Sequence, residues 1–217
     1  MVKTTKFSNL FITGCDSNTE WQLPWFIKNF KKHNPDAALK IYDFGMSNPN
    51  PKLFEKIRSS DKGWFKKPFA MMTAARIATN VCWLDTDCEV REDLSDIFNY
   101  VEPTKLSMVE DVPWSKRRGE KWHNSGVVAF TGVPNILKEW VNAVSYRPIE
   151  GDQQVLHELV KGDMKRMIHI NDLPRKYNTL RLDLVDESAP SKISVMHWTG
   201  HLGNEEIKRK MINEAVL

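Results

Sequence analysis

Asp85 and Asp87 stand two residues apart in Leu84-Asp85-Thr86-Asp87-Cys88-Glu89, directly after Val81-Cys82-Trp83-Leu84. A short, fully apolar run of this kind reads as a buried central strand. In open α/β sheets, ligands bind beyond the carboxyl ends of the strands. Carboxylates placed there suit a hard divalent cation, which takes oxygen ligands and often brings phosphate with it. In isolation an Asp-x-Asp pair serves a turn or a helix cap equally well.

His197 ends a second predicted strand in Ser194-Val195-Met196-His197-Trp198-Thr199-Gly200. An imidazole supplies the one nitrogen ligand of a mixed oxygen and nitrogen site suited to manganese, or it is a core histidine held by hydrogen bonds. Asn124, Ser125 and Gly126 lead into the predicted strand 127–130. The first two offer donors and acceptors for sugar hydroxyls, and glycine permits close backbone approach. An ordinary turn before a strand explains them too. Asp152, before Gln153, opens a helix as its N-cap. Lys67 precedes Pro68 at a helix start, where anions are favoured, though a solvated lysine has the same signature. Lys116, Arg117, Arg118 and Lys121 suit a mobile lid over a diphosphate or a solvated loop.

These residues need a frame. Residues 7–13 predict a strand and 14–18 a loop. A helix follows, with Pro24 in its first turn and Trp25, Phe26 and Phe30 on its apolar side. Residues 39–44 predict a strand closed by Gly45, 48–51 a turn, and the stretch to 58 a short helix. Pro68 opens a helix carrying Ala70, Met71, Ala74 and Ile77. Residues 111–122 are polar, basic and irregular, and predict a long loop. Helices follow at about 134–144 and 152–160, then a strand at 193–196 and a helical tail after Gly203. Short apolar runs alternating with amphipathic stretches predict an α/β domain.

The chain has 217 residues, 41% hydrophobic and 27% charged, which suits one globular domain and excludes a disordered tail. The net charge of +3 is too small an excess to indicate a nucleic-acid-binding face. Cys15, Cys82 and Cys88 show no C-x-x-C spacing, which argues against a disulfide scaffold or a zinc site and for a reducing compartment. There is no secretory signal and no apolar run of about eighteen residues. The expected location is the cytoplasm, with the chain either whole or a soluble domain of a longer protein.

Taken in order, FITGCDS, IYDFG, WFKKP, VCWLDTDCEV, WHNSGVVAF, GDQQVLHEL, LPRKYN and VMHWTGH resemble the metal-dependent, nucleotide-sugar glycosyltransferases of the GT-A fold. The pattern is closest to the family 8 type and related bacterial and viral enzymes. Each piece is short; together they run from about residue 7 to residue 203.

The resemblance implies one GT-A-type domain over residues 1–217, with a mixed, mostly parallel central sheet flanked by helices. A Rossmann-like nucleotide-binding half covers about 1–100 and an acceptor-side half about 101–217. It implies Mn2+ or Mg2+ held by Asp85, Asp87 and His197, with Asp85 also facing the ribose. A UDP-sugar is the implied donor, and a glycan or glycoprotein hydroxyl the implied acceptor. Thr13, Gly14 and Asp16 fall in the loop that meets the nucleotide, Lys67 at a donor contact, and Asn124, Ser125 and Gly126 along the sugar. Asp152 and Gln153 fall near the reacting carbon. Tyr177 and Asn178 match a stretch of unspecified role, and Trp122 and Trp198 offer flat faces to a sugar. The chain departs after the histidine: HWTGHLGNEE lacks the family's G-x-x-K-P-W, so phosphate contact falls to Gly200, His201 or the basic loop.

Two other readings compete. Phosphatases of the haloacid-dehalogenase type also have a strand ending in Asp-x-Asp, the first Asp being a nucleophile, but theirs continues Gly-Thr on an early strand. A catalytically weak nucleotide-sugar-binding module would carry the same residues.

Overall fold

Along β1 (Phe7–Cys15), Leu10 and Ile12 enter one hydrophobic cluster and Phe11 and Cys15 the other. A strand buried on both faces requires this alternation, because successive side chains point to opposite sides. β4 (Ala78–Leu84) repeats it, with Val81 and Trp83 on one side and Cys82 and Leu84 on the other. β7 (His123–Thr131) does the same with Val128 and Phe130 against Val127 and Ala129. The structure, a computed structural model, describes residues 7–59, 61, 63–146 and 151–214. Residues 1–6 of the opening stretch and the last three residues of the helical tail lie outside them.

These strands sit in a seven-stranded sheet of order β3-β2-β1-β4-β7-β6-β8, completed by β2 (Leu39–Asp43), β3 (Phe54–Lys56), β6 (Leu106–Glu110) and β8 (Ile170–Asp172). β7 is antiparallel to both its neighbours, and the other pairings are parallel. Strands from both predicted halves therefore share one sheet. On one face α2 (Lys67–Ala74), α4 (Asn135–Tyr146) and α5 (Asp152–Val160) bury Ala70, Met71, Trp140 and Leu156. On the other, α1 (Leu23–His33) buries Trp25, Phe26 and Phe30.

A second sheet, β5-β10-β9, lies on the α1 side, built from β5 (Cys88–Val90), β9 (Thr179–Leu180) and β10 (Val195–His197). β10 and β5 are antiparallel, and His197 pairs with Cys88. The chain leaves β4 through Asp85 and Asp87 and at once enters β5, whose partner strand delivers the histidine. α8 (Gly200–Asn213) then follows directly.

Several sequence expectations fail here. Residues 54–56 are an edge strand rather than part of a helix; Phe54, Glu55 and Lys56 pair with β2. Gly14 and Cys15 extend β1 rather than opening the loop. Residues 111–122 are not a long loop, because α3 (Val112–Arg118) lies within them. Its signals are all local: Asp111 caps the Trp114 N–H, Pro113 sits in the first turn, and Gly119 ends the helix at φ 70°. The apolar period that would have revealed it is missing. α6 (Asp163–His169) and α7 (Arg181–Val185) are equally short and were also not foreseen.

Candidate active site

The carboxyl ends of β1 and β4, the start of β7 and the first turns of α5 and α8 surround a cleft of about 360 Å³. Gly14, Asp16, Lys67, Asp85, Asp87, Asn124, Ser125, Gly126, Asp152, Gln153, His197 and Gly200 all line it. Of the three residues expected in the nucleotide loop, Gly14 and Asp16 line the cleft and Thr13 does not. Thr13 is wholly buried within β1, with no hydrogen-bond partner for its hydroxyl among the described residues.

Lys67 lies at the centre of one side. Its Nζ is 3.0 Å from Asp85 Oδ1 and 3.1 Å from Asp152 Oδ2, and it donates to the Ser125 carbonyl and hydroxyl at 3.2 Å. Burial works against the ammonium, but Asp152 and Asp85 outweigh it and hold Lys67 above its ordinary value. Burial pushes the Asp152 carboxyl up, and the Lys67 charge opposes that. Trp83 adds a further donor, with Nε1 at 2.6 Å from Asp85 Oδ1. The pairing follows from β-periodicity: residues 83 and 85, two apart, lie on the same side. Lys67 is thus an internal cation rather than one extended toward a ligand. Asp152 is the first helical residue after the Gly151 cap, and its side chain is directed at Lys67 rather than at its own helix.

Asp87 has different company. His197 Nε2 lies 3.0 Å from Asp87 Oδ1 and 3.9 Å from Asp85 Oδ2. Burial disfavours the imidazolium, yet Asp87 and then Asp85 raise His197 above its ordinary value. Neighbouring ligand atoms of an octahedral ion with bonds of about 2.1 Å lie about 3 Å apart, so the Asp87–His197 spacing fits such an ion. Cys88 also brings its sulfur within 4.8 Å of these groups. Its thiol is pushed well above the ordinary range by burial and then by Asp87 and Asp85, and it faces the Gly126 carbonyl. A protonated thiol is a poor ligand for a hard cation. Of the three grouped residues, Asp87 and His197 carry the donor atoms suited to a hard cation, and Asp85 Oδ2 stands 3.9 Å from the imidazole.

The register of β7 changes here. Met108 pairs with Val128 but Val109 pairs with Asn124, so residues 125–127 bulge from the ladder. Bulges re-aim side chains, and this one turns Asn124 and Ser125 to the cleft. Gly126 is required for a particular reason: a Cβ there would lie 2.1 Å from His197 Cε1. The close approach foreseen for glycine is therefore made by the histidine ring. Gln153 Oε1 accepts the Ser125 N–H at 3.0 Å, which leaves its amide N–H groups for other partners.

Some expectations are corrected. None of Lys116, Arg117, Arg118 and Lys121 lines the cleft. Arg117 pairs with Asp186 at 3.3 Å and Lys121 with Asp172 at 2.6 Å, so in this structure the basic run is engaged away from the cleft. Trp122 is buried and stacked on His157 with centroids 3.5 Å apart, while Trp198 donates to Glu89. The aromatic walls are instead Phe44, Trp64 and Trp83, with Phe44 and Trp83 nearly parallel. His201 is exposed and outside the cleft lining, and Tyr177 is core. Sequence reasoning also missed Gln22, Thr86 and Asn204: Thr86 Oγ1 donates to Gln22 Oε1 at 2.6 Å, and Gln22 Nε2 donates to Asn204 at 2.9 Å. No local signal predicts a link between residues 182 positions apart.

Neither a family model nor a curated sequence matches the chain. Solved structures do. Galactosyltransferase LgtC in complex with donor and acceptor sugar analogues aligns over 95% of this chain and 95% of its own, at 15% identity and TM-score 0.66. Glycosyltransferase GlyE of Streptococcus pneumoniae TIGR4 aligns over 96% of this chain and 64% of its own, at 17% identity and TM-score 0.63. A glycosyltransferase involved in glycosylation of the major capsid of PBCV-1 aligns over 93% and 99%, at 12% identity and TM-score 0.63. At these identities the likeness is one of fold, and the chain has the GT-A-type fold of these neighbours.

Proposed function

We propose that the protein is a metal-dependent glycosyltransferase that moves a hexose-type sugar from a UDP-sugar to a hydroxyl of a glycan or glycoprotein. The observation that carries this reading is the charge balance of the cleft. Its lining holds four carboxylates, Asp16, Asp85, Asp87 and Asp152, against one ammonium, Lys67, and one imidazole, His197. Lys67 is committed to two of the carboxylates. A diphosphate cannot enter such a cleft without bringing a cation. Asp87 and His197, with Asp85 beside them, are spaced to receive one. The fold neighbours, glycosyltransferases by name, support the same reading over the phosphatase alternative.

In the reaction, the bond from the anomeric carbon to the diphosphate breaks with its electron pair leaving on the diphosphate. An acceptor oxygen bonds that carbon, and its proton passes to the departing diphosphate. Asp85, Asp87 and His197 would hold a divalent cation, which would supply Lewis acidity toward the departing charge. The protein's own residues set the geometry. Lys67 fixes Asp152 at the first turn of α5, and the Ser125 hydroxyl donates to the same carboxylate at 3.1 Å. The resemblance sets Asp152 near the reacting carbon, where its anion would stabilise the positive charge that grows on the sugar. Gln153, whose Oε1 already accepts the Ser125 N–H, presents its amide NH2 for a sugar hydroxyl.

Calorimetric titration of UDP with manganese, then with chelator, then into Asp87→Ala tests the proposal. The expected result is manganese-dependent binding that the variant loses while its fold is retained. Manganese-dependent sugar transfer persisting in Asp87→Ala would overturn it.

A further inference from the structure

Four buried polar side chains, the His197 imidazole first among them, form a continuous chain. His197 Nδ1 is 3.0 Å from Asn178 Oδ1, and Asn178 Nδ2 donates to Asn124 Oδ1 at 2.9 Å. Asn124 Nδ2 donates to Asp111 Oδ2 at 3.3 Å. Asp111 is 7% exposed, Asn124 6%, Asn178 1% and His197 4%. Burial this deep makes every unpaired group costly, so each member must match its neighbour.

The direction of the chain is fixed at two points that cannot reverse. The Gly126 backbone N–H donates to Asn124 Oδ1 at 2.8 Å, so that atom is the oxygen. At the far side of Asn124 stands the Asp111 carboxylate, which also accepts the Trp114 N–H at 3.0 Å and so requires a donor from Asn124. Asn124 therefore shows an acceptor to Asn178. Asn178 must answer with its NH2, and its oxygen is left facing the imidazole. Only a protonated Nδ1 satisfies that oxygen. Nε2 then faces Asp87, 3.0 Å away.

We propose that Asn178 is a positioning residue for His197: oriented by Asn124, Gly126 and Asp111, its amide holds the ring with a proton on Nδ1 and directs Nε2 as a ligand atom toward Asp87. This rests on the reading of His197 as a metal ligand. Metal-binding histidines are commonly fixed through their second nitrogen, and loss of such a partner typically costs about 10–100-fold in metal affinity. The supply of that partner is unusual here because it passes through Asn124, which also lines the cleft. The seat of the cation and a candidate seat of the sugar are thus held by one set of hydrogen bonds.

The test combines 15N spectra of His197 with manganese affinity measured without nucleotide. Wild type is expected to show a hydrogen-bonded Nδ1–H protected from exchange. Asn178→Leu removes the acceptor, and is expected to lose that signal and to bind manganese about 10–100-fold more weakly. Asn178→Asp keeps an acceptor for Nδ1–H while setting oxygen against oxygen at Asn124. It is expected to lose stability yet retain the signal and affinity within about tenfold of wild type. A merely structural role predicts instead that affinity follows stability in both variants, and that pattern overturns the proposal. So does a wild type without the protected Nδ1–H, or a folded Asn178→Leu with unchanged affinity. Absence of manganese binding in wild type, with the Nδ1–H signal present, would instead overturn the metal reading itself.

Discussion

Asp85 and Asp87 are two residues apart and occupy opposite electrostatic settings. Asp85 is neutralised from behind: Lys67 lies 3.0 Å from Oδ1, and Trp83 donates to the same oxygen. Asp87 has no ammonium beside it among the described residues; its close partner is His197. One acid is built into a buried ionic cluster that organises β4, α2 and α5. The other is left free to exchange a proton-bearing partner for a cation. The difference shows that a short acidic motif need not be two equivalent ligands. Its first member joins the scaffold to the cleft, and its second, on the proposed reading, is the acid more available to a cation.

The largest effect that tests this contrast is at Lys67. Removing one member of a buried ionic cluster leaves its partners uncompensated, typically at about 3–5 kcal/mol. Lys67→Ala strands Asp85 and Asp152 together, and is expected to lose stability on that scale in chemical denaturation. Asp87→Ala is expected to cost less, about 1 kcal/mol, because its buried partner His197 is an imidazole that can shed its proton once Asp87 is gone. Equal losses in the two variants would break the distinction between scaffold acid and site acid.

A smaller effect is expected at Gly126, on the Asp87 side. An added methyl group would meet the His197 ring at 2.1 Å and Asn124 Oδ1 at 2.9 Å. Gly126→Ala therefore has to displace the histidine. Overpacking typically costs about 1–3 kcal/mol, but manganese affinity should fall by at least about tenfold, the lower end of the effect of misplacing a ligand. Manganese titration followed by spin resonance, alongside urea denaturation, separates the two quantities. Unchanged affinity in a destabilised Gly126→Ala would show that His197 does not have to sit where it does.

The contrast also divides what was legible in the sequence from what was not. The apolar run before Asp85 announced a buried strand, and β4 is the central strand of the seven. β1, α1, β2, α2 and α5 were readable for the same reason, since a two-sided core imposes period and length on them. The nearness of Asp87 and His197 comes from β5 and β10: Asp87 sits in the turn that enters β5, and His197 ends β10, which pairs with it. The Lys67 cluster was not legible, because its members come from separate elements and no spacing encodes their convergence. Lys67 was expected to face a ligand, a natural inference for a lysine at a helix start, and the fold turned it inward. The basic run 116–121 misled for a related reason. Charge marks a solvated face or a lid equally, and only the pairing of Arg117 with Asp186 and Lys121 with Asp172 shows the run engaged away from the cleft in this structure.

The smallest expected effect concerns the residue between the two acids. Thr86 is 5% exposed, and its hydroxyl donates to Gln22 Oε1 at 2.6 Å. Gln22 in turn donates to Asn204 on α8, the helix that begins beside the cleft at Gly200. Thr86→Val preserves shape and removes the hydroxyl, so one acceptor on Gln22 is left without its donor. A hydrogen bond of this sort contributes about 0.5–1.5 kcal/mol net. The expected loss in thermal or urea denaturation is about 1 kcal/mol, with manganese affinity within about threefold of wild type, since neither the Asp87 nor the His197 ligand atom is touched. UDP binding should weaken more than manganese binding, because the lost bond anchors α8 and not the cation. If manganese affinity fell as far as nucleotide affinity, the turn would be acting as one unit, and the separate roles assigned to Asp85 and Asp87 would have to merge.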